Sequence, residues 1–134
     1  MAGMTNAEAA ATLDARFPTT GGSDYIWYSA NGSSETANLA RTAIGATGWA
    51  AAAVADPSVK SNANALTSAA ASGTVTVTHF AIGPGPTGGT QRTDWTALTA
   101  SRALLSGDTL AWAAGDLDVT LPRDGDHHRR RARR

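Results

Sequence analysis

Few residues in this 134-residue chain have the types and spacing that a catalytic or metal site needs. His79 has no second histidine or carboxylate at ligand spacing, and His127 and His128 lie together in a polar terminal stretch with no specified third ligand. Asp116 and Asp118 would share one face of a strand, where two carboxylates can hold a hard cation or act as acid and base. Because the pair sits at a turn, we interpret it as solvated and predict no metal site.

Nucleophilic and nucleotide chemistry also lack a motif. Serine and threonine are abundant, but no Gly-x-Ser-x-Gly elbow occurs, and the absence of cysteine excludes thiol chemistry and disulfides. The glycine-rich stretch Gly83–Gly89 lacks the Lys-Ser or Lys-Thr pair of a phosphate loop. We therefore predict a non-catalytic protein with no cofactor.

The composition predicts a modest core. Alanine makes up much of the 42% apolar share, and only two Phe, two Tyr and four Trp are present. Alanine buries little surface, so we expect stabilisation from oligomerisation or from docking onto a larger body. No run is long enough to span a membrane and nothing near Met1 resembles a signal peptide, so we expect direct cytoplasmic synthesis without signal-peptide export and no membrane partner.

Charge is distributed unevenly along the chain. Residues 1–122 carry five basic residues and nine carboxylates, a net charge of −4, while residues 123–134 carry six arginines and two carboxylates, a net charge of +4. We predict a single β-rich domain over 1–122 followed by an Arg-rich tail over 123–134 that docks on an acidic protein surface. A solvated tail and a nucleic-acid contact rank lower, since interleaved aromatics for base stacking are missing. The interface candidates in the tail are Arg129, Arg130, Arg131, Arg133 and Arg134.

The segment Thr74–Ile82 is the strongest strand signal. Its first half alternates valine with threonine, the period of two that a half-buried strand requires. Around His79 the pattern changes, because Phe80 and Ile82 are apolar on the face that threonine occupied before. The sequence predicts a bulge near His79 or burial on both faces, in the middle of a sheet or at a subunit contact. His79 and Phe80 are therefore interface candidates.

The N-terminal segment predicts a helix over about residues 5–17. Thr5 and Glu8 have the spacing of a capping box, and Pro18 ends the segment. Leu13 and Phe17 are four residues apart, so they would share one helix face and pack against the sheet or a partner.

The remaining segments predict short strands with frequent turns. The stretch Thr90–Thr99 is expected to form a hairpin with the central strand, and Val59–Leu66 is expected to be a polar edge or turn. Arg41 is expected to be solvated on a strand. Further extended segments are predicted at Asp24–Ser29, Asn38–Ile44, Trp49–Val54, Ser101–Leu105 and Leu117–Leu121. This pattern indicates a mainly β fold, an antiparallel β-sandwich or barrel-like domain with one short N-terminal α-helix.

Clustered aromatic residues suggest a second interpretation. Tyr25, Trp27 and Tyr28 lie in one predicted strand, and Trp95 lies in another. Such a cluster forms either core or a glycan-binding platform. Exposed rings in a row would support the platform, and buried rings would remove it.

The order of several segments resembles small structural proteins of tailed bacteriophages, closest to those of phages that infect actinobacteria. The resemblance covers roughly Thr5 to Leu121. The segments that carry it are Leu39–Ile44, Val75–Ile82, Thr96–Ser101, Ser106–Leu110 and Ala114–Leu121. Proteins of this kind are described as minor tail, tail-fibre or head-decoration components.

The resemblance implies a non-catalytic virion protein assembled in several copies. Its expected partners are itself and other virion proteins such as the major capsid or tail proteins. The alternative is a module that binds a carbohydrate receptor on the host surface. Two features differ from these relatives: Gly83–Pro86 stands where they usually place an acidic and an aromatic residue, and the Arg-rich end has no counterpart among them.

Overall fold

The computed structural model describes residues 5–45, 47–55 and 57–121. The five arginines predicted as tail interface residues, Arg129, Arg130, Arg131, Arg133 and Arg134, lie outside these residues. Docking of the tail therefore stays a prediction.

The described chain is mainly β, with antiparallel strand pairs and one short N-terminal helix, as the sequence predicts. Within the described ranges no sheet closes into a barrel. The elements are α1 Asn6–Arg16, β1 Asp24–Ser29, β2 Thr42–Ala43, β3 Ser58–Ser61, β4 Leu66–Thr67, β5 Val75–Pro84, β6 Thr96–Leu104, β7 Ala111–Trp112 and β8 Asp118–Leu121.

The chain divides into two compact units. Of the described residues, the first unit comprises 5–22, 47–55, 57–64 and 114–121, and the second comprises 23–45 and 65–113. The prediction of one domain ending at residue 122 stays a prediction.

Helix α1 and the β3–β8 pair build the first unit. The Thr5 hydroxyl accepts a hydrogen bond from the Glu8 amide at 3.1 Å, so Thr5 caps the helix as its sequence position predicts. Leu13 and Phe17 are buried, and the Phe17 ring lies 5.4 Å from the Trp49 ring at a tilted angle. The apolar face of α1 is thus covered within its own unit.

Strand β3 falls where the sequence predicts a polar edge or turn, and within the described residues it pairs only with β8, so it is an edge strand, although a partly buried one. Its residue Lys60 is fully buried and pairs in register with Val119 of β8. The Lys60 ammonium donates to Asp14 Oδ1 of α1 at 2.6 Å. Because this ion pair supplies the opposite charge that a buried lysine requires, a polar sequence can form a strand with a buried lysine here.

The second unit contains a four-stranded sheet in the order β2-β1-β5-β6. Strand β5 lies between two neighbours, in the sheet interior. Both expectations about His79 are met, since the register shifts between Val77 and His79 and the strand is buried on both faces from Phe80 to Gly83. The change in sequence pattern therefore marks a change from one-sided to two-sided burial.

The register shift leaves a segment of β6 without ladder partners on β5. Val77 pairs with Arg102, and His79 pairs with Ala97. Residues 98–101 therefore lie opposite the single residue Thr78 and form a β-bulge.

Strand β6 begins and ends later than predicted. It spans Thr96–Leu104, so it includes much of the segment expected as a separate strand from Ser101. The amides of Arg92 and Thr93 both donate to the Ile82 carbonyl, at 2.7 and 3.3 Å, and this turns the preceding chain into a loop. Local sequence does not indicate that the Arg92 and Thr93 amides bond to Ile82 near the end of β5.

The strand predicted at Asn38–Ile44 is reduced to the two residues of β2. Asn38 has a φ angle of 71°, in the left-handed region that a strand does not use. The segment Trp49–Val54 contains neither helix nor strand beyond one bridge from Trp49 to Asn62.

A small polar cluster lies in the core of the second unit. The Tyr28 hydroxyl is 2.5 Å from Thr42 Oγ1 and accepts from the Trp112 indole at 3.2 Å. The Phe80 and Trp112 rings meet edge to face with centroids 5.2 Å apart. The hydroxyl is therefore satisfied although Tyr28 is fully buried.

A candidate binding loop held by Arg41

The chain between β5 and β6 forms an exposed loop with a fixed base. We call residues 85–90 the glycine-proline loop; within it residues 86–90 are exposed. At its start the Gly85 amide donates to the Ser23 carbonyl at 3.3 Å, and beyond it the Thr93 hydroxyl accepts from the Ile82 amide at 2.9 Å. Gly85, Gly88 and Gly89 have φ angles of 69°, 66° and 77°, which glycine adopts without steric cost.

Arg41 lies against this loop, not in solvent as predicted. Its guanidinium carbon is 3.5 Å from the centre of the Trp27 ring, and the Arg41 side chain is only 6% exposed. A guanidinium over an indole face is attracted by the ring quadrupole, and more strongly when water is excluded. The Trp27 ring thus holds the Arg41 guanidinium close to its face.

The fork of Arg41 binds a carboxylate and the loop backbone together. Nε and Nη2 donate to the two oxygens of Glu35 at 2.7 and 2.9 Å, a bidentate pair. Nη1 points to three backbone carbonyls, those of Pro84 at 3.4 Å, Gly85 at 3.2 Å and Gly88 at 2.8 Å. The Arg41 side chain therefore links Glu35 to the backbone carbonyls of Pro84, Gly85 and Gly88.

Gly83 allows Trp27 to take this position. A Cβ atom at Gly83 would lie 2.4 Å from the Trp27 ring, so no other residue fits without displacing the indole. The Trp27 side chain is buried, and its Nε1 has no hydrogen-bond partner among the described residues. The Trp27 side chain thus contributes through its ring faces, against Gly83 and Arg41.

A second ion pair lies near the same loop. Arg92 Nη1 donates to Asp24 Oδ1. Asp24 is 1% exposed and belongs to β1, while Arg92 follows the loop. Arg41 and Arg92 therefore fix the chain on either side of residues 86–90.

The exposed part of the loop carries no charge. It consists of Pro86, Thr87, two glycines and Thr90, whose polar groups are hydroxyls and backbone amides and carbonyls. Such a surface suits recognition by shape and hydrogen bonds and not acid–base chemistry. Among the described residues no group of three or more histidine, aspartate or glutamate side chains could hold a metal ion.

The predicted interface residues do not gather at this loop. Leu13, Phe17 and Phe80 are buried within their own units, and His79 is partly buried. His79 Nδ1 is 2.8 Å from its neighbour's hydroxyl, Thr78 Oγ1. Roles for these residues in assembly stay predictions.

The four predicted glycan-platform residues do not form a row of exposed rings. Trp27 and Tyr28 are buried, at 5% and 0% exposure, whereas Tyr25 and Trp95 are half-buried. The glycan hypothesis therefore stays a prediction, and of the four rings only those of Tyr25 and Trp95 are exposed enough to contact a glycan.

Sequence reasoning missed Arg41 and Glu35 as structural residues. The carbonyls that Arg41 binds lie 43 to 47 positions away, so no local spacing indicates the contact. The available signal was Gly83, since a glycine inside a strand often marks a close approach of another group.

Comparison with known proteins identifies the family. No curated protein matches the chain. Among the described residues, no helix is long and apolar enough to cross a membrane. Residues 5–120 match the family described as "Podophage GP4 fiber I protein gp80". Because the match extends through both compact units, the chain belongs to this family of phage fibre proteins, and it is a component of the virion.

Proposed function

We propose that the protein is a non-catalytic accessory component of a phage tail fibre that binds other virion proteins through surface contacts. The family match over residues 5–120 supports a fibre role, and it favours the tail over the head-decoration and other minor-tail roles that the sequence left open. From the order of the sequence segments we further propose a phage that infects actinobacteria as its source.

The observation that carries the proposal is the arrangement of the glycine-proline loop. Arg41 engages the loop carbonyls from inside, so residues 86–90 present an uncharged and pre-ordered surface. Binding by such a loop costs less conformational entropy than binding by a loose one. We infer that a neighbouring virion protein contacts this loop.

The partners we propose are tail proteins, further copies of this chain and, for the head-decoration alternative, the major capsid protein. The Arg-rich residues 123–134 would add an attachment to an acidic surface. Deleting them should weaken attachment to the particle in a salt-dependent way, and unchanged occupancy at low salt would contradict this role.

Immunogold labelling of intact virions tests the proposal. We expect label at the tail fibres in wild-type particles and loss of that label in particles that lack the gene. Label confined to the head would replace the fibre role by head decoration, and label on no particle would overturn the virion role.

A second candidate function is binding of a host surface glycan. It is favoured by the half-exposed rings of Tyr25 and Trp95, since Tyr25 pairs in register with Gly83 beside the loop. The test is binding of the purified chain to host cell-wall polysaccharide, with Tyr25→Ala and Trp95→Ala as variants. Equal binding by all three proteins would contradict a glycan site at these rings.

A further inference from the structure

The turn that follows β1 contains an asparagine followed directly by a glycine, Asn31-Gly32, and no other such pair occurs in the chain. In an Asn-Gly pair the glycine amide nitrogen can attack the asparagine side chain, because glycine has no Cβ that hinders the approach. Asn31 is exposed to water, whereas Ser29, the last residue of β1, is fully buried. The hydrogen bonds of this turn decide whether the pair is inert or reactive.

The Ser29 hydroxyl binds both of the reacting groups. Its Oγ accepts from the Gly32 amide at 2.9 Å and donates to Asn31 Oδ1 at 3.1 Å. The Asn31 amide also donates to this Oγ, at 3.2 Å, and helps to hold the hydroxyl in place. Ser29 can therefore take the proton of the attacking nitrogen and give its own proton to the carbonyl oxygen, which meets the geometric requirement for acid–base catalysis.

Two backbone amides bind the same carbonyl oxygen. The amides of Ser33 and Ser34 donate to Asn31 Oδ1 at 2.8 and 3.1 Å. They draw electron density from Asn31 Cγ and stabilise negative charge on Oδ1, as the paired amides of an oxyanion hole do. Among the described residues no group bonds to Asn31 Nδ2, the nitrogen that would leave. The hydrogen bonds at the reacting atoms thus all favour the attack.

The fold requires glycine at position 32. Gly32 has a φ angle of 76°, in the left-handed region, and a Cβ atom there would lie 3.0 Å from the imidazole ring of His79. A larger residue would therefore strain the backbone and displace His79. The reactive pair is thus part of the turn's construction.

We propose that Asn31 is a site of self-deamidation and that Ser29 is the catalytic residue. The Gly32 nitrogen forms a bond to Asn31 Cγ while its proton passes to Ser29 Oγ and the Ser29 proton passes to Asn31 Oδ1. The Cγ–Nδ2 bond then breaks, Nδ2 leaves as ammonia with the proton from Oδ1, and a cyclic succinimide remains. Solvent water opens either C–N bond of the succinimide, which gives aspartate or isoaspartate at position 31.

The products change the charge and the length of the turn. A carboxylate at position 31 adds a negative charge to the segment that carries Glu35, the partner of Arg41. Isoaspartate also adds a methylene group to the backbone between β1 and Glu35. The reaction requires no enzyme or partner, so this inference goes beyond the proposed function. A chain that keeps its asparagine would overturn the inference without affecting the result of virion labelling.

The test compares the folded full chain with a synthetic peptide of residues 27–36. The peptide contains the same Asn-Gly pair and the same serines, but not the fold that positions them. We expect position 31 of the folded chain to deamidate on the order of tenfold faster at neutral pH, because positioned acid–base groups accelerate proton transfer. Mass spectrometry of proteolytic fragments measures the replacement of the amide by a carboxyl. A folded chain that deamidates no faster than the peptide would overturn the proposal.

Variants of the full chain test the role of Ser29. Ser29→Ala removes the hydroxyl and should slow deamidation to the rate of the peptide or below, whereas Ser29→Thr keeps a hydroxyl and should retain most of the wild-type rate. Ser33→Ala is the matched control and should leave the rate unchanged, because the backbone amide of Ser33, and not its hydroxyl, bonds to Asn31 Oδ1.

Circular dichroism identifies any variant that fails to fold, and the comparison of folded wild type with the peptide decides the proposal in that case. Equal rates in wild type and Ser29→Ala would overturn the catalytic role of Ser29. A rate in Ser29→Thr as low as that in Ser29→Ala would also overturn it, because the hydroxyl would then not be the group that matters.

Discussion

Among the described residues, each compact unit buries one cationic side chain, and the two cations are held in different ways. Arg41 is bound on several sides, by the Trp27 face, both oxygens of Glu35 and loop carbonyls. Lys60 has one carboxylate partner, Asp14, which is itself 41% exposed. The planar guanidinium can organise several chain segments together, whereas the ammonium ties one helix to one strand.

The difference teaches where each unit is sensitive to change. In the second unit the cation holds its surroundings in place, so its loss leaves several groups without a partner. In the first unit Lys60 is buried and Asp14 is exposed. Removing Asp14 would leave a buried charge without a partner, so it should lower the free energy of unfolding more than removing Lys60.

The largest effect is expected for Arg41→Ala. This change removes the stack on Trp27 and leaves Glu35 and the loop carbonyls without their donor. We expect the free energy of unfolding to fall by about 3 kcal/mol, because the variant loses the contact with the Trp27 ring and several hydrogen bonds of about 1 kcal/mol each. Urea denaturation measures it, with Arg102→Ala as the exposed control, which should lie within about 0.5 kcal/mol of wild type. Equal effects of the two variants would contradict the role of Arg41.

Gly83→Ala should have the next largest effect. The new methyl would meet the Trp27 ring at 2.4 Å, and Trp27 supports Arg41. We expect a loss of about 2 kcal/mol, within the range for overpacking a filled site. Gly73→Ala is the control, because its methyl would meet only the end of the Asn38 side chain at 3.0 Å. If Gly83→Ala has the same thermal unfolding temperature as wild type, the Trp27 ring does not require glycine at position 83.

The pair in the first unit should respond asymmetrically. Asp14→Asn leaves Lys60 charged and buried, and we expect a loss of about 1 to 2 kcal/mol, less than for a fully buried pair because water screens the exposed carboxylate. Lys60→Met places an apolar chain in the buried site and should change stability by less than about 1 kcal/mol. A larger cost for Lys60→Met than for Asp14→Asn in urea denaturation would reverse the comparison.

The same pair predicts a dependence on acid. Burial pushes the pKa of Asp14 up, but hydrogen bonds from Lys60 and the Ala52 amide, and the Lys60 charge, outweigh burial and hold the pKa below its ordinary 3.8. The unfolded carboxyl binds its proton first as pH falls, so this stabilisation is complete above about pH 4 and is lost as pH falls through the folded pKa. Unfolding free energies measured across this range should fall more steeply for wild type than for Asp14→Asn. Curves of unfolding free energy against pH that run parallel for wild type and Asp14→Asn would contradict the lowered pKa of Asp14.

A smaller effect than for Asp14→Asn is expected at Tyr28. Tyr28→Phe removes the hydroxyl between Thr42 and Trp112 and should cost about 1 kcal/mol, the usual net value of a hydrogen bond. Burial raises the pKa of Tyr28 above its ordinary 10.0, although the two hydrogen bonds oppose the rise. The neutral form is thus favoured by folding, and wild type should lose stability as pH rises above 10. The variant should lack this loss, and stability curves that stay parallel above pH 10 would contradict it.

Local pattern predicted much of the fold. The alternation in Thr74–Ile82, its change at His79 and the cap at Thr5 all depend on neighbours within a few residues, and the structure confirms them. The candidate loop could be seen only as a glycine-proline stretch. Its support comes from Arg41, which lies more than 40 positions away, and no periodicity records such a contact.

The start of β6 shows the same limit. Residues 90–95 have strand-like composition, but Arg92 pairs with Asp24 and its amide bonds to Ile82. Tertiary contacts therefore override local propensity there. Lys60 is the counterpart in the first unit, where a polar segment forms a strand with a buried lysine because Asp14 supplies the opposite charge.

Amide hydrogen exchange in wild type and Arg41→Lys tests most directly whether Arg41 holds the glycine-proline loop. The lysine keeps the charge but loses the fork and the flat face. We predict faster exchange at Gly85, whose amide bonds to Ser23, and unchanged exchange at Phe80, whose backbone lies in the ladder between β1 and β6. Equal exchange at Gly85 in the two proteins would contradict the account.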